Sequence, residues 1–149
     1  MSWHFENKVV NDINELPNSE FLEGFVYKIT NKKNGDFYIG KKSLYSNIKK
    51  KIGAKVKKET GTRKTFERIR KESDWLKYYG SSKDMLQDIA KMGKDAFHRE
   101  ILEVCCSKKY LSYSEFAWQV KLDVLKNKNS YNGNILGRWY GKDMENCQR

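Results

Sequence analysis

Glu115 stands in a row with Leu111, Trp118, Leu122 and Leu125, spaced by four, three, four and three residues. On a helix those positions share one face. A carboxylate on an otherwise apolar stripe is costly unless it is paired, protonated or holding a metal ion. The competing register turns Phe116, Val120 and Val124 inward and leaves Glu115 to solvent. Tyr27 and Tyr38 lie in two short apolar runs, Gly24-Phe25-Val26-Tyr27 and Phe37-Tyr38-Ile39-Gly40. Tyrosines in such runs are core or cross-strand partners far more often than catalysts. An unperturbed phenol, with a pKa near about 10, is a poor base at neutral pH, and a nearby cation would depress it. Lys41 follows Gly40 directly, and Lys42 would point to the opposite strand face. Asn132, in Ser130-Tyr131-Asn132-Gly133, suits a turn before glycine equally well.

These residues need elements to hold them. Asn34-Gly35 separates the two tyrosine-bearing runs, and that dipeptide accepts positive φ, so residues 24–41 read as a β-hairpin. Ser82 can cap a helix running through Leu86, Ile89 and Met92 to a stop at Gly93. Residues 96–104 read as a strand and 109–126 as a longer helix. Asn127 to Gly137 is a polar loop, and Gly137-Arg138-Trp139-Tyr140-Gly141 closes the fold. The sum is an α+β plan: a small antiparallel β-sheet of about three strands flanked by helices. Residues 1–20 read as a polar arm that packs late or not at all. The main domain is then 21–141, and 142–149 form a C-terminal tail.

Between hairpin and capped helix the character changes. Residues 41–71 carry Lys41, Lys42, Lys49, Lys50, Lys51, Lys55, Lys57, Lys58, Arg63, Lys64, Arg68, Arg70 and Lys71 against Glu59 and Glu67. Gly53 to Thr62 lacks clear periodicity and reads as a mobile stretch of a basic insertion at about 42–71. Over 149 residues, 30 Lys+Arg against 19 Asp+Glu give a net charge of +11. Such an excess favours a polyanionic partner, nucleic acid first. No apolar run approaches the ~18 residues of a membrane span, and the N-terminus is no signal peptide. Cys105, Cys106 and Cys147 are an odd set with an adjacent pair, which reads as reduced thiols of a cytosolic protein. Zinc would need spaced ligands, and the histidines are His4 and His98 alone.

The hairpin resembles the two-part signature of the GIY-YIG nucleases. Phe25-Val26-Tyr27 matches its first part loosely and Tyr38-Ile39-Gly40 its second part fully. The stretch from Glu72 to Ser82 and the closing Gly137-Arg138-Trp139-Tyr140 are similar to the small, free-standing, phage-encoded homing endonucleases of that family. The resemblance implies a DNA endonuclease acting on double-stranded DNA with one Mg²⁺ or Mn²⁺. Glu115 would be the metal ligand, and Tyr27 the general base or a proton relay. Tyr38 and Lys41 would hold the phosphate or tune Tyr27, and Asn132 would be the active-site asparagine. The family arginine expected about two turns after the signature glycine is replaced by Ile48 and three lysines. Arg63, Arg68 and Arg70 are its candidate substitutes, Arg70 first. Tyr78 or Tyr79 could serve as an additional acid or base, although core packing accounts for both. Lys42, Lys49, Lys50, Lys51, Lys55, Lys57, Lys58, Arg63, Lys64 and Arg68 would grip DNA. A single site cuts one strand, so a double-strand break would need a dimer on DNA or two nicks. No obligate protein partner is expected, and the location implied is the cytoplasm of an infected bacterial host. A structure-specific repair nuclease and a non-catalytic nucleic-acid-binding protein are the alternatives.

Overall fold

The structure, a computed structural model, describes residues 2–145. In chain order the elements are β1 (Trp3–Phe5), β2 (Lys8–Val10), β3 (Gly24–Asn31), β4 (Phe37–Ser43), β5 (Tyr45–Lys51), α1 (Ala54–Thr60) and β6 (Phe66–Glu72). Then come α2 (Lys83–Met92), β7 (Phe97–Cys105), α3 (Lys108–Lys121), β8 (Asn134–Ile135), β9 (Trp139–Tyr140) and α4 (Gly141–Met144).

The expected hairpin is β3–β4. Its turn is set by Gly35 at φ 81° and by the Asn34 side chain, which accepts the Asp36 N–H at 2.9 Å. The expected strand is β7, which pairs antiparallel with β3 and completes the central three strands. Opposite the pair Val26/Tyr27 the β7 register slips by one residue, so Val26 faces Glu103 while Tyr27 faces Ile101. Such a bulge re-aims nearby side chains. Ser82 caps α2 by accepting the Met85 N–H, and Gly93 at φ 86° ends it.

The sheet is wider than three strands. Its order is β2-β1-β7-β3-β4, with β1 parallel to β7 and every other pairing antiparallel. The N-terminal segment is therefore no loose arm. Trp3 is fully buried, and its indole N–H donates to the Trp75 carbonyl at 2.7 Å. Val10, Ile13 and Leu16 are buried with it. The polar average over twenty residues hid these four apolar anchors.

Two cores flank the sheet. Phe25, Tyr27 and Ile29 face Trp3, Trp75, Tyr79, Met85 and Ile89 on one side. Val26, Ile39 and Cys105 face Leu111 and Val124 on the other, beneath α3. That helix stops at Lys121, five residues short of the expected end, and Asp123 beyond it turns left-handed at φ 51°. The basic insertion contains regular elements. β5 and β6 form a two-stranded antiparallel ribbon, and α1 crosses its tip, closed by Gly61 at φ 67°. A seven-residue helix has too few turns to print a clear period on the sequence. Cys105 and Cys106 are free thiols, one buried and one exposed, while Cys147 lies outside the described residues, as do the last four positions of the expected tail. Among the described residues no helix is long and apolar enough to cross a membrane.

Candidate active site

β4 is the edge strand, and its unpaired backbone groups organise the site. The Ser130–Asn132 segment runs along that edge. Phe37 N–H donates to the Asn129 carbonyl at 2.8 Å, and Tyr131 N–H donates to the Phe37 carbonyl at 2.7 Å. At Ile39 a side chain takes over from backbone. The Asn132 amide donates to the Ile39 carbonyl at 2.8 Å and accepts the Ile39 N–H at 2.9 Å. Gln119 on α3 donates to the same carbonyl at 3.2 Å. The next outward-facing amide, Lys41 N–H, acts on the Glu115 carboxylate and favours its charged form. An edge that would otherwise invite another strand is thus closed by Asn132, Gln119 and Glu115.

On one face of the sheet lies a group of phenols. Tyr27 is 1% exposed, with its ring 6.1 Å from that of Tyr38 and 5.9 Å from that of Tyr78. Its hydroxyl lies over Gly40, where an added Cβ would collide with it and approach Tyr27 Cζ at 2.7 Å and Tyr38 Cε1 at 2.9 Å. The signature glycine is therefore the floor on which the phenol rests. Tyr38 and Ser81 share a hydrogen bond at 3.2 Å. Burial pushes the Tyr27 pKa well above the ordinary phenol range, and the neighbouring Tyr38 and Tyr78 push it the same way. Tyr38 is raised too, by burial first, against a lowering hydrogen bond from Ser81. No lysine is among the groups that shift Tyr27, so the expected lowering by a neighbouring lysine is not seen. Lys41 pairs with Val26 and so lies on the other face, whereas Lys42 pairs with Phe25 and shares the tyrosine face. Its ammonium sits 4.2 Å from the centre of the Tyr78 ring and 2.6 Å from Asp74.

On the second face, Lys41 Nζ donates to Ser112 Oγ at 2.8 Å. Glu115 is half-buried. Desolvation raises its pKa, while the Lys41 ammonium and the Lys41 N–H oppose that rise. The buried residues of α3 are Leu111, Ser114 and Gln119. Glu115 thus borders the buried stripe without entering it, and the exposure of Val120 goes against the competing register, although Val124 beyond the helix is buried. The two faces meet around the β4 edge in an open, largely polar pocket of about 550 Å³. Tyr38, Ser81, Glu115, Gln119, Tyr131 and Asn132 are among the residues lining it.

Arg70 is not part of this assembly. Its guanidinium donates to the Leu22 carbonyl at 3.1 Å, pairs with Glu23 at 3.2 Å and covers the Tyr45 ring at 3.9 Å. It fastens the foot of the β5–β6 ribbon, a two-stranded sheet separate from the main one. Arg68 and Arg63 lie farther out, on the ribbon strand β6 and just before it. Tyr79 is a core residue beneath Arg99, while Tyr78 joins the phenol group. Ser81, Ser112 and Gln119 were missing from the sequence reading. Ser112 and Gln119 flank Glu115 by minus three and plus four on α3, so helical spacing alone could have found them.

A divalent ion fits the donor set in one way. Among the described residues no group of three or more His, Cys, Asp or Glu side chains comes together. Glu115 offers one carboxylate at a polar pocket. Mg²⁺ commonly binds through one or two carboxylates, several waters and the substrate's own phosphate.

The sequence was compared with known families. Residues 3–142 match the family model described as "Putative endonuclease segE, GIY-YIG domain". That match spans most of the chain, and the protein belongs to the GIY-YIG nuclease family. No curated protein and no solved structure matches. Membership makes the chain a nuclease domain with DNA as its substrate, in a family whose members generally depend on divalent metal.

Proposed function

We propose that this protein is a homing-type DNA endonuclease that hydrolyses phosphodiester bonds with a single Mg²⁺ or Mn²⁺ held by Glu115. The observation that carries this reading is the meeting of the Tyr27–Tyr38–Tyr78 group and Glu115 around the edge of β4. A bound ion there supplies positive charge to the scissile phosphate and to the departing 3′ oxygen. Tyr27, held neutral by burial, acts as a donor and relay through Tyr38 and Tyr78, orienting the attacking water rather than ionising to deprotonate it. Lys41 and Lys42 bring ammonium groups to the two sides of the strand edge and offset phosphate charge. Lys42 takes the place expected of Arg70. Asn132 fixes the strand edge on which these groups depend.

The lysines and arginines of 42–71 supply DNA affinity, which falls steeply with salt. Sequence preference is modest, the working location is the cytoplasm of a phage-infected bacterium, and double-strand cutting takes two nicks or two copies. The test is incubation with supercoiled plasmid in Mg²⁺ or in EDTA, beside Tyr27→Phe and Glu115→Ala. Metal-dependent nicking lost in both variants is the expected result. Retention of nicking in Glu115→Ala would rule out its role as the metal ligand. A second reading, a DNA-binding protein without cleavage, draws on one observation: among the described residues no arginine lines the pocket. No nicking with a retained, salt-sensitive gel shift would favour it.

A further inference from the structure

The β5–β6 ribbon is built in a way that stability alone does not explain. A lone two-stranded ribbon is marginal in water, and here every residue of β6 and all of β5 but Tyr45 are exposed. Directly opposed residues in an antiparallel pair share a face, and like charges placed there are destabilising. The register sets Lys49 opposite Arg68. Neither is in an ion pair with any described residue.

Charge is sorted between the two faces. One carries Ser46 opposite Lys71 near the foot, then Ile48 opposite Ile69 and Lys50 opposite Glu67, so its outer half holds an apolar pair and a pair of opposite charges. The other carries Tyr45 opposite Glu72 at the foot, where the Trp75 indole N–H donates to Glu72, then Asn47, Lys49 and Lys51 on β5, facing Arg70, Arg68 and Phe66 on β6. Arg70 is neutralised by Glu23 at the foot. That leaves Lys49, Lys51 and Arg68 uncompensated on the outer half, beside Asn47 and the 53% exposed Phe66. Seven-residue strands reach about 23 Å, and the DNA major groove admits a two-stranded ribbon. Arg and Asn are side chains that bond bidentately to guanine and adenine edges, and an apolar ring can meet a thymine methyl. Lysines contact phosphate without reading sequence.

We propose that this face enters the DNA major groove and sets the sequence preference, with Arg68 and Asn47 reading base edges and Lys49 and Lys51 holding the flanking phosphates. The inference rests on the nuclease reading for its biological meaning but not for its test. Two reading side chains specify only a few base pairs, in keeping with modest preference.

The experiment is selection of a randomised duplex pool by gel shift in EDTA, with wild type, Arg68→Ala, Asn47→Ala and the opposite-face control Lys50→Ala. The wild type should enrich a short motif. Arg68→Ala and Asn47→Ala should each lose preference at a different position, with affinity for the motif falling about 5- to 100-fold. Lys50→Ala should weaken all sequences alike. No enriched motif, the same motif in both reading variants, or no DNA binding at all would overturn the proposal. Plasmid nicking is scored separately. Cutting without a motif defeats the ribbon inference and leaves the nuclease standing, whereas a motif without cutting does the reverse.

Discussion

Asn132 occupies the place of a missing sixth strand: its amide makes both hydrogen bonds that a neighbouring backbone would have made to Ile39. Removing it strands a buried N–H, at a cost of about 1–3 kcal/mol. Asn132→Ala should therefore lower the unfolding free energy by that amount, seen as a lower denaturant midpoint at unchanged m-value. Asn132→Asp should cost at least as much, since a carboxylate cannot donate to the Ile39 carbonyl. Wild-type stability in both variants would show that the asparagine is not holding the edge.

Gly40 and Tyr27 form the second dependence. A Cβ at Gly40 collides with the Tyr27 hydroxyl and crowds Tyr38. Overpacking of this kind costs about 1–3 kcal/mol. Gly40→Ala should lose that much stability and nearly all nicking activity, because the phenol cannot keep its place. Gly53→Ala meets nothing within 4 Å and has an ordinary negative φ, so it serves as the neutral control. Activity retained in Gly40→Ala would show that Tyr27 needs no such floor.

How much of this could be read from the residues alone differs from element to element. The β3–β4 hairpin, the Ser82 cap and the Gly93 stop were legible because each is fixed by local chemistry: positive φ, a capping hydroxyl, a helix-ending glycine. The β1–β7 pairing was not, because parallel partners so far apart in sequence leave no local trace. At the candidate site, Tyr27, Tyr38, Glu115 and Asn132 were grouped through the family resemblance, and the fold brings Tyr38, Glu115 and Asn132 to one pocket. Their environments were not legible. That Lys42, and not Lys41, shares the Tyr27 face depends on strand register, which the turn geometry decides. Arg70 was misjudged because nearness in sequence to Trp75 and Tyr78 says nothing about where a ribbon leaves the sheet.

The phenols make stability depend on alkaline pH. Burial raises the pKa of Tyr27, Tyr38 and Tyr131, the last to about 12, with Asp88 accepting the Tyr131 hydroxyl proton at 2.7 Å. A folded-state pKa above the unfolded value of about 10 means the native state holds its protons more tightly. That stabilisation is complete below about pH 10 and is lost as pH rises through the folded values. Melting temperature should hold through pH 9 and then fall steeply between about 10 and 12. Tyr131→Phe should flatten part of that fall. A wild-type decline beginning near neutrality would contradict the tight protonation of these groups.

Glu115 should show opposite effects on stability and on chemistry. Its carboxyl is raised by desolvation, so the folded state disfavours the charged form. For such a group the native-state advantage exists at acid pH and is lost as pH rises through the folded pKa, leaving a net cost at neutrality. Glu115→Gln removes that charge and keeps an oxygen for the Lys41 N–H. Without metal at pH 7, it should melt at or above the wild-type temperature. Wild type alone should gain stability on adding Mg²⁺ or Mn²⁺, since an ion bound to the native state shifts folding by mass action. Nicking by Glu115→Gln should fall by about 10³-fold or more, the loss expected when several kcal/mol of transition-state charge stabilisation disappears. Scanning calorimetry with Mg²⁺ and with EDTA reads the first two effects without depending on activity. A metal-induced rise in melting temperature that persists in Glu115→Gln would place the ion elsewhere, and a variant less stable than wild type in EDTA would mean the carboxylate is a structural anchor of the β4 edge and not a charge held in reserve.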